Sequence, residues 1–289
     1  MIPRLGTYGV WRRDVDLSPD LAAGLEALGY GTVWVGGSPS GDLSVPDALL
    51  AATGRLAVAT GIVNIWQDDP ATVATSYHRL EGRYPGRFLL GIGAGHREAD
   101  KGYGTPYEAL QRYLDVLDGA EVPVERRVLA ALGPRVLRLA AERAAGAHPY
   151  FTPPDHTRQA RAILGPDRVL APEQKAVFGS DRDAAREVAR QALGMYLRLA
   201  NYVNNWRRLG FTDEDFANGG SPRLLDALVA HGDPATVAAR IREHRAAGAD
   251  HVAVQLLVPP GTDPLDGYGE LARALTAAGQ EPGGPGRPR

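Results

Sequence analysis

Short apolar runs of β-compatible residues alternate with longer stretches of helical periodicity along the chain, and local signals mark the breaks between them. Residues 4–10 read as a first strand. Ser18-Pro19-Asp20 then supplies an N-cap, a proline at the first helical position and an early acid. The helix it opens places Leu21, Leu25 and Leu28 on one face and closes at Gly29. Residues 32–36 form the second strand, 45–52 a short helix and 56–65 a long third strand. Asp69-Pro70 repeats the cap-and-proline device for a helix to about Tyr84, and 87–93 is the fourth strand. In the second half, helices at 106–117, 135–145 and 154–164 alternate with strands at 127–132, 147–151 and 168–178. One long helix is expected over 181–208. Asp233-Pro234 caps a helix to Ala247, 251–258 is the eighth strand and 265–278 the closing helix.

Eight strands alternating with helices in 289 residues predict an α/β protein, a (β/α)8 TIM barrel, with a doubly wound sheet as the competing arrangement. Residues 179–250 hold more than the one helix needed there, so an insertion is expected between strands seven and eight. It carries Asn201-Tyr202-Val203-Asn204-Asn205-Trp206. Residues 1–278 thus read as one barrel domain. The tail 279–289, rich in glycine and proline, cannot bury apolar surface and is expected to be disordered.

Composition narrows the function classes. With 44% hydrophobic and 23% charged residues the chain can bury a sizeable core, and a net charge of −2 gives no reason to expect nucleic acid or an anionic membrane as partner. The absence of cysteine excludes disulfides, thiolate metal sites and cysteine nucleophiles. The seven histidines include no His-x-His or His-Glu-x-x-His spacing, so no metal site is expected. The N-terminal Met-Ile-Pro-Arg-Leu-Gly has no basic-then-apolar pattern, and no run approaches the roughly 18 apolar residues of a membrane span. A cytoplasmic soluble protein is the default expectation.

Barrel active sites lie at the C-terminal ends of the strands. The run from Gly86 to His96, Gly-Arg-Phe-Leu-Leu-Gly-Ile-Gly-Ala-Gly-His, is a strand that ends in glycines and an ionisable residue. It is not a dinucleotide fingerprint, because the spacing is wrong and Leu90 and Ile92 still read as strand. Tight packing at a barrel rim and the floor of a ligand site both remain open. Leu132-Gly133-Pro134-Arg135 presents free amides at a helix start beside Arg135 and Arg138, which suits an anion such as phosphate; an ordinary βα turn is the alternative.

Strand three with its continuation, Ala59-Thr60-Gly61-Ile62-Val63-Asn64-Ile65-Trp66 and Asp69-Pro70-Ala71, resembles a signature of the bacterial luciferase-like superfamily. So do the Arg-Phe-Leu-Leu-Gly-Ile-Gly-Ala-Gly run, residues 129–139 with Gly133-Pro134, and the stretch 201–205. More closely, the chain resembles the oxidoreductases of that superfamily that use the deazaflavin coenzyme F420, over essentially its whole length up to about Val258. The resemblance implies a flavin-like ring across the strand ends, a non-prolyl cis peptide at Gly61-Ile62 beneath it, and the coenzyme phosphate on the amides of Gly133 and its helix. The implied coenzyme-binding residues are Gly61, Ile62, Val63, Asn64, Gly93, Gly95, His96, Leu132, Gly133, Pro134 and Arg135.

His96 aligns with the position where some relatives carry an acidic proton donor, which makes it the implied catalytic acid/base; contact with the coenzyme alone is the alternative. Tyr8, Trp11, Ser38, Trp66, Glu173, Asn201 and Tyr202 are candidates for lining the substrate pocket, with packing or capping as the alternative for each. After strand two, several relatives have an Asp-His pair where this chain reads Val35-Gly36-Gly37-Ser38-Pro39, which counts against the sugar-phosphate dehydrogenase form of the mechanism. The resemblance thus implies a homodimeric enzyme moving a hydride between F420 and a small organic substrate. An FMN-dependent monooxygenase fed by a separate reductase, and a non-catalytic flavin-binding barrel, are the alternatives.

Overall fold

The computed structural model describes residues 1–95, 105–259 and 261–277. His96 and the tail 279–289 lie outside the described residues.

The first half alternates as β1 (Tyr8–Arg13), α1 (Pro19–Ala27), β2 (Thr32–Gly36), α2 (Ser44–Ala51), β3 (Ala57–Gly61), β4 (Val63–Asn64), α3 (Pro70–Arg83), β5 (Phe88–Gly93) and α4 (Pro106–Gly119). The second continues with β6 (Arg127–Leu129), α5 (Pro134–Arg143), β7 (Gly146–Ala147), α6 (Pro154–Leu164), β8 (Val169–Leu170) and β9 (Glu173–Phe178). Then come α7 (Arg182–Leu193), α8 (Ala200–Arg208), α9 (Asp213–Phe216), α10 (Pro222–Leu228), β10 (Val229–Gly232), α11 (Pro234–Ala246), β11 (Val252–Leu256) and α12 (Pro264–Ala277).

All the strand pairs are parallel, in the order β10-β9-β11-β1-β2-β3-β5-β6-β7-β8, with β4 beside β5. Two of the eight barrel staves are interrupted, β3 and β4 forming one and β8 and β9 another. The latter stave closes the ring: its first half pairs with β7 and its second with β11, and Glu173 N–H donates to Pro149 O while Ala253 N–H donates to Pro172 O. The (β/α)8 TIM barrel expected from the pattern is the fold observed.

Alternate residues of each strand face opposite sides. Outward, Val10, Val33, Val35, Val58, Leu90, Ile92 and Val254 pack under helix residues such as Leu25, Leu49, Tyr77 and Leu271. Inward, Trp11, Trp34, Ala57, Ala59, Leu89, Val128, Ala171 and Ala253 fill the barrel. Small residues on neighbouring staves make room for the two indoles. A side chain at Gly9 would stand 2.6 Å from His251 Nε2, so the interior tolerates none there. No described helix is long and apolar enough to cross a membrane.

The insertion departs from the expected long helix over 181–208. That stretch is α7, a short 3-10 turn at Tyr196–Arg198, and α8, so it folds back on itself. The fold-back lets Leu193, Tyr202 and Trp206 meet Phe151, Leu224 and Leu225 in a second apolar cluster beside the barrel mouth. β10, unforeseen in the pattern, pairs with the end of β9 from Val229↔Lys175 to Gly232↔Phe178. The first strand also begins later than expected, at Tyr8, and the strand expected over 147–151 is only the two residues of β7.

Candidate active site at the strand ends

Three neighbouring staves end in residues without side chains, or nearly so. Gly36 and Gly61 are register partners at the ends of β2 and β3, and the Gly61-Ile62 peptide bond is cis, at the position where the resemblance placed it. A Cβ on Gly36 would stand 1.9 Å from Trp11 Cζ2, and one on Gly61 2.9 Å from Trp11 Nε1 and 3.1 Å from His148 Nε2. The indole of Trp11 therefore occupies the space that both glycines vacate. On the next stave, Gly93 is held between Ile62 and Ala130, each 2.9 Å from where its Cβ would be. Gly61 and Ile62 are half-buried, Gly93 is buried, and Ala94 and Gly95 are half-buried beyond it. The result is a continuous rim running from Gly61-Ile62 across Gly93 to Ala130 and on to Gly133.

Beneath this rim the barrel interior is polar in a fixed pattern. The rings of Trp34 and His148 stack at 4.0 Å, and Trp34 Nε1 donates to His251 Nε2 at 3.0 Å. Each histidine donates Nδ1–H to a backbone carbonyl, His148 to Ala171 O and His251 to Gly6 O. Burial holds both neutral, with pKa values brought down to about 3 and about 4 respectively. They are structural groups that orient the tryptophan.

On the opposite side of the mouth, Lys175 and Glu173 project inward from β9, two residues apart and hence on one face. Lys175 Nζ donates to Glu173 Oε1 at 3.1 Å, and Glu173 Oε2 accepts Phe151 N–H. The ammonium also lies 3.8 Å from the ring centre of Tyr150 and 4.0 Å from that of Phe151. Burial pulls the Lys175 pKa down to about 8 against the pull of the carboxylate, and raises that of Glu173. Tyr150 donates to Gln255 Oε1, accepts a long bond from Tyr196 of the insertion, and leans on Trp11 at 4.9 Å between ring centres. The floor of the mouth is thus Trp11 and Tyr150, braced by a buried ion pair.

The remaining predicted residues are distributed unevenly. Leu132 and Gly133 are half-buried and lead into α5, with Pro134 at its first position and Arg135 exposed, its guanidinium 3.8 Å over the ring of Tyr107. Val63 turns its side chain into the layer between sheet and helices, so only its backbone borders the rim. Asn64 accepts Trp66 N–H, and Trp66 Nε1 donates to Ala94 O, which ties the end of β4 to the end of β5. Tyr8, expected in the pocket, is instead the first residue of β1 and sits at the N-terminal end of the staves, away from the mouth, because the strand starts four residues later than expected. Ser38 is half-buried just past β2, with a positive φ of 58°. Glu173 lies wholly inside the barrel rather than on a pocket wall. Asn201 is exposed, while Tyr202 is buried in the insertion cluster, 4.9 Å from the ring of Tyr196. Tyr150, His148 and Gln255 were not foreseen, and Lys175, though it falls among the strand-end residues with Glu173, was given no role. Only for Lys175 was a signal available, its i,i+2 spacing from Glu173.

Comparison with known proteins bears on this geometry. Residues 7–121 match the luciferase-like monooxygenase family. The 4-hydroxyprotoasukamycin monooxygenase of Streptomyces nodosus subsp. asukaensis is 35% identical over 88 residues, which are 28% of this chain and 24% of that protein. The match therefore spans well under half of that relative's length. In fold, the chain is similar to an F420-dependent secondary alcohol dehydrogenase in complex with an F420-acetone adduct, at 15% identity and a TM-score of 0.74, over 95% of this chain and 99% of the other. The coenzyme F420-dependent tetrahydromethanopterin reductase of Methanopyrus kandleri follows at 16% and 0.68, over 94% and 99%. The FMN-bound oxygenating constituent of 3,6-diketocamphane monooxygenase of Pseudomonas putida gives 16% and 0.61, over 95% and 97%. Those three likenesses are of fold. The stretch from β1 through α4 thus matches the luciferase-like monooxygenase family, and the architecture that the chain shares with those three structures carries on to α12.

Proposed function

We propose that the protein is an F420-dependent oxidoreductase that transfers a hydride between the deazaflavin coenzyme and a small organic substrate at the barrel mouth. The observation that carries this reading is the rim itself: Gly61 and Gly93, packed against Trp11, Ile62 and Ala130, present backbone rather than side chains at the strand ends, and the next stave leads to the uncapped N-terminus of α5. A planar ring needs the first, and a phosphate fits the second. The residues present therefore fit such a coenzyme.

When bound, a deazaflavin supplies a hydride at one carbon and reacts poorly with oxygen. The chain's own residues position the partners and manage protons. Gly61, Ile62, Gly93 and Gly95 would border the ring with backbone, and the amides beyond Gly133, with Arg135, would hold the phosphate. Trp11 and Tyr150 form a floor that keeps water from beneath. His96, just past Gly95, is assigned the proton exchange with substrate.

A second reading, an FMN-dependent monooxygenase, is supported by the local identity to a monooxygenase and by the fold shared with an FMN-bound one. Titrating the protein with F420 and with FMN, followed by fluorescence and thermal stability, separates the two. Saturable micromolar binding of F420 is expected; binding of FMN alone would sink the first reading, and binding of neither would leave a barrel without coenzyme. His96→Gln should then lower turnover far more than coenzyme affinity, and unchanged turnover would remove it as the acid.

A further inference from the structure

We propose that Arg208, the last residue of α8 in the insertion, is a phosphate-binding cation, closing an anion site against the N-terminus of α5 so that barrel and insertion hold the coenzyme together. This rests on the coenzyme reading above and names a residue that neither the sequence pattern nor the resemblance assigned.

The N-terminus of α5 lacks any local compensation. Its N-cap, Gly133, has no side chain to accept from the first amides, Pro134 follows at the first position, and the first turn holds no acid. α1, α3, α7, α10 and α11 are capped by Ser18, Asp69, Asp181, Ser221 and Asp233, whereas α2, α4, α6 and α8 share with α5 the lack of a side-chain cap, so the bare end alone marks nothing. Into this partly positive end points a full positive charge. Arg208 Nη2 lies 3.6 Å from where a Gly133 Cβ would stand. A guanidinium over a helix N-terminus is repelled by the helix dipole, and the arrangement becomes favourable when an anion lies between them.

Two independent features point the same way. Among the described residues no carboxylate lies within 4.0 Å of Arg208, and its hydrogen bond is to a neutral group, Asn205 Oδ1, at 3.2 Å. Asn205 is itself only 1% exposed, and its Nδ2, a donor, has no partner. His156, 2% exposed, lies against the same turn, its Nε2–H donating to Leu132 O at 2.8 Å; its Nδ1 is then an acceptor and makes no claim on an anion. Buried polar groups are normally satisfied, so an unsatisfied donor beside a cation and a bare helix end marks a place built for an acceptor ligand. A phosphate oxygen supplies acceptors for Arg208, the α5 amides and the amide of Asn205 at once.

The test uses FMN against riboflavin, which differ only by the phosphate, and F420 against its deazariboflavin core, which lacks the phosphate and the tail beyond it. Arg208→Gln should weaken the phosphate-bearing member about tenfold or more and leave the phosphate-free member unchanged, with Arg208→Lys restoring part of the loss. The side chain is exposed, so an unchanged melting temperature of each unliganded variant serves as the folding control. If the wild type prefers the phosphate-bearing member and Arg208→Gln does not alter that preference, the inference falls while the coenzyme reading stands. If the wild type binds neither coenzyme, that reading fails, and thermal stabilisation by inorganic phosphate decides the site alone. Stabilisation lost in Arg208→Gln supports it, and no stabilisation, or stabilisation retained in the variant, overturns it.

Discussion

Lys175 Nζ lies 3.1 Å from Glu173 Oε1 inside the barrel, with both side chains at most 2% exposed. Such a pair is poor evidence of added stability, because burying both charges costs about as much as their attraction returns. Losing one partner is a different matter, since it strands a charge in an aromatic cage. Glu173→Gln should therefore lower the unfolding free energy by about 3 kcal/mol, and Lys175→Met by a similar amount. The double variant should recover most of that loss. Denaturant unfolding of the four proteins measures it, and additive losses would show that the two residues are not coupled.

Four histidines are buried and held neutral mainly by desolvation, their pKa values lowered to about 3 for His148 and His244 and about 4 for His156 and His251. Between these values and the ordinary 6.5 the unfolded chain binds protons that the folded chain does not, so stability falls as pH drops through that window. The loss should begin near pH 6.5 and continue towards pH 4, amounting to several kcal/mol between pH 7 and pH 5. Urea midpoints across that range check the sign. A midpoint independent of pH from 7 to 5 would contradict it. His148→Phe, which keeps a ring beside Trp34, should make the slope shallower by about one proton.

The parts of the fold legible in sequence are those fixed locally. Strand β2 is five buried residues bounded by turn glycines, and its limits are as expected; the helix starts at Ser18, Asp69 and Asp233 are read from caps that do bond to the first turn. What was missed depends on distant partners. Residues 229–232 continue the apolar run of α10 and become a strand only because β9 offers an edge. The break after Leu193 follows from Tyr202 and Trp206 needing to reach Phe151, a contact no local pattern encodes. In the candidate site the same division holds. Gly61, Gly93 and Gly133 announce themselves by lacking side chains, whereas Tyr150 and Arg208 look like any other tyrosine and arginine until the insertion folds over the mouth.

Gly36 offers a steric test of the floor. Its missing Cβ would stand 1.9 Å from Trp11 Cζ2, a separation that no small shift relieves. Gly36→Ala should destabilise by about 1–3 kcal/mol through overpacking. Adding Trp11→Phe, which removes the atoms in conflict, should return part of the loss. Melting temperatures of the two variants decide it, and a double variant that is merely worse than either single one would mean that the strain lies elsewhere.

Trp206 links the insertion's packing to its chemistry. Its ring is fully buried, its Nε1 donates to Phe151 O at 3.3 Å, and it stands two residues before Arg208 on α8. Trp206→Ala removes the largest side chain of the insertion cluster and should cost about 3–5 kcal/mol. Because that cluster is separate from the two barrel layers, the loss should appear first as local opening. Hydrogen exchange in α8 should quicken while amides of β1 and β2 keep their protection. Equal acceleration in α8 and β2 would show instead that insertion and barrel unfold as one unit. If opening is local, Arg208 is no longer held over Gly133, and FMN affinity should fall while riboflavin affinity changes little. Trp206→Phe, which keeps most of the apolar volume, should retain both the exchange protection and the preference for the phosphate-bearing ligand.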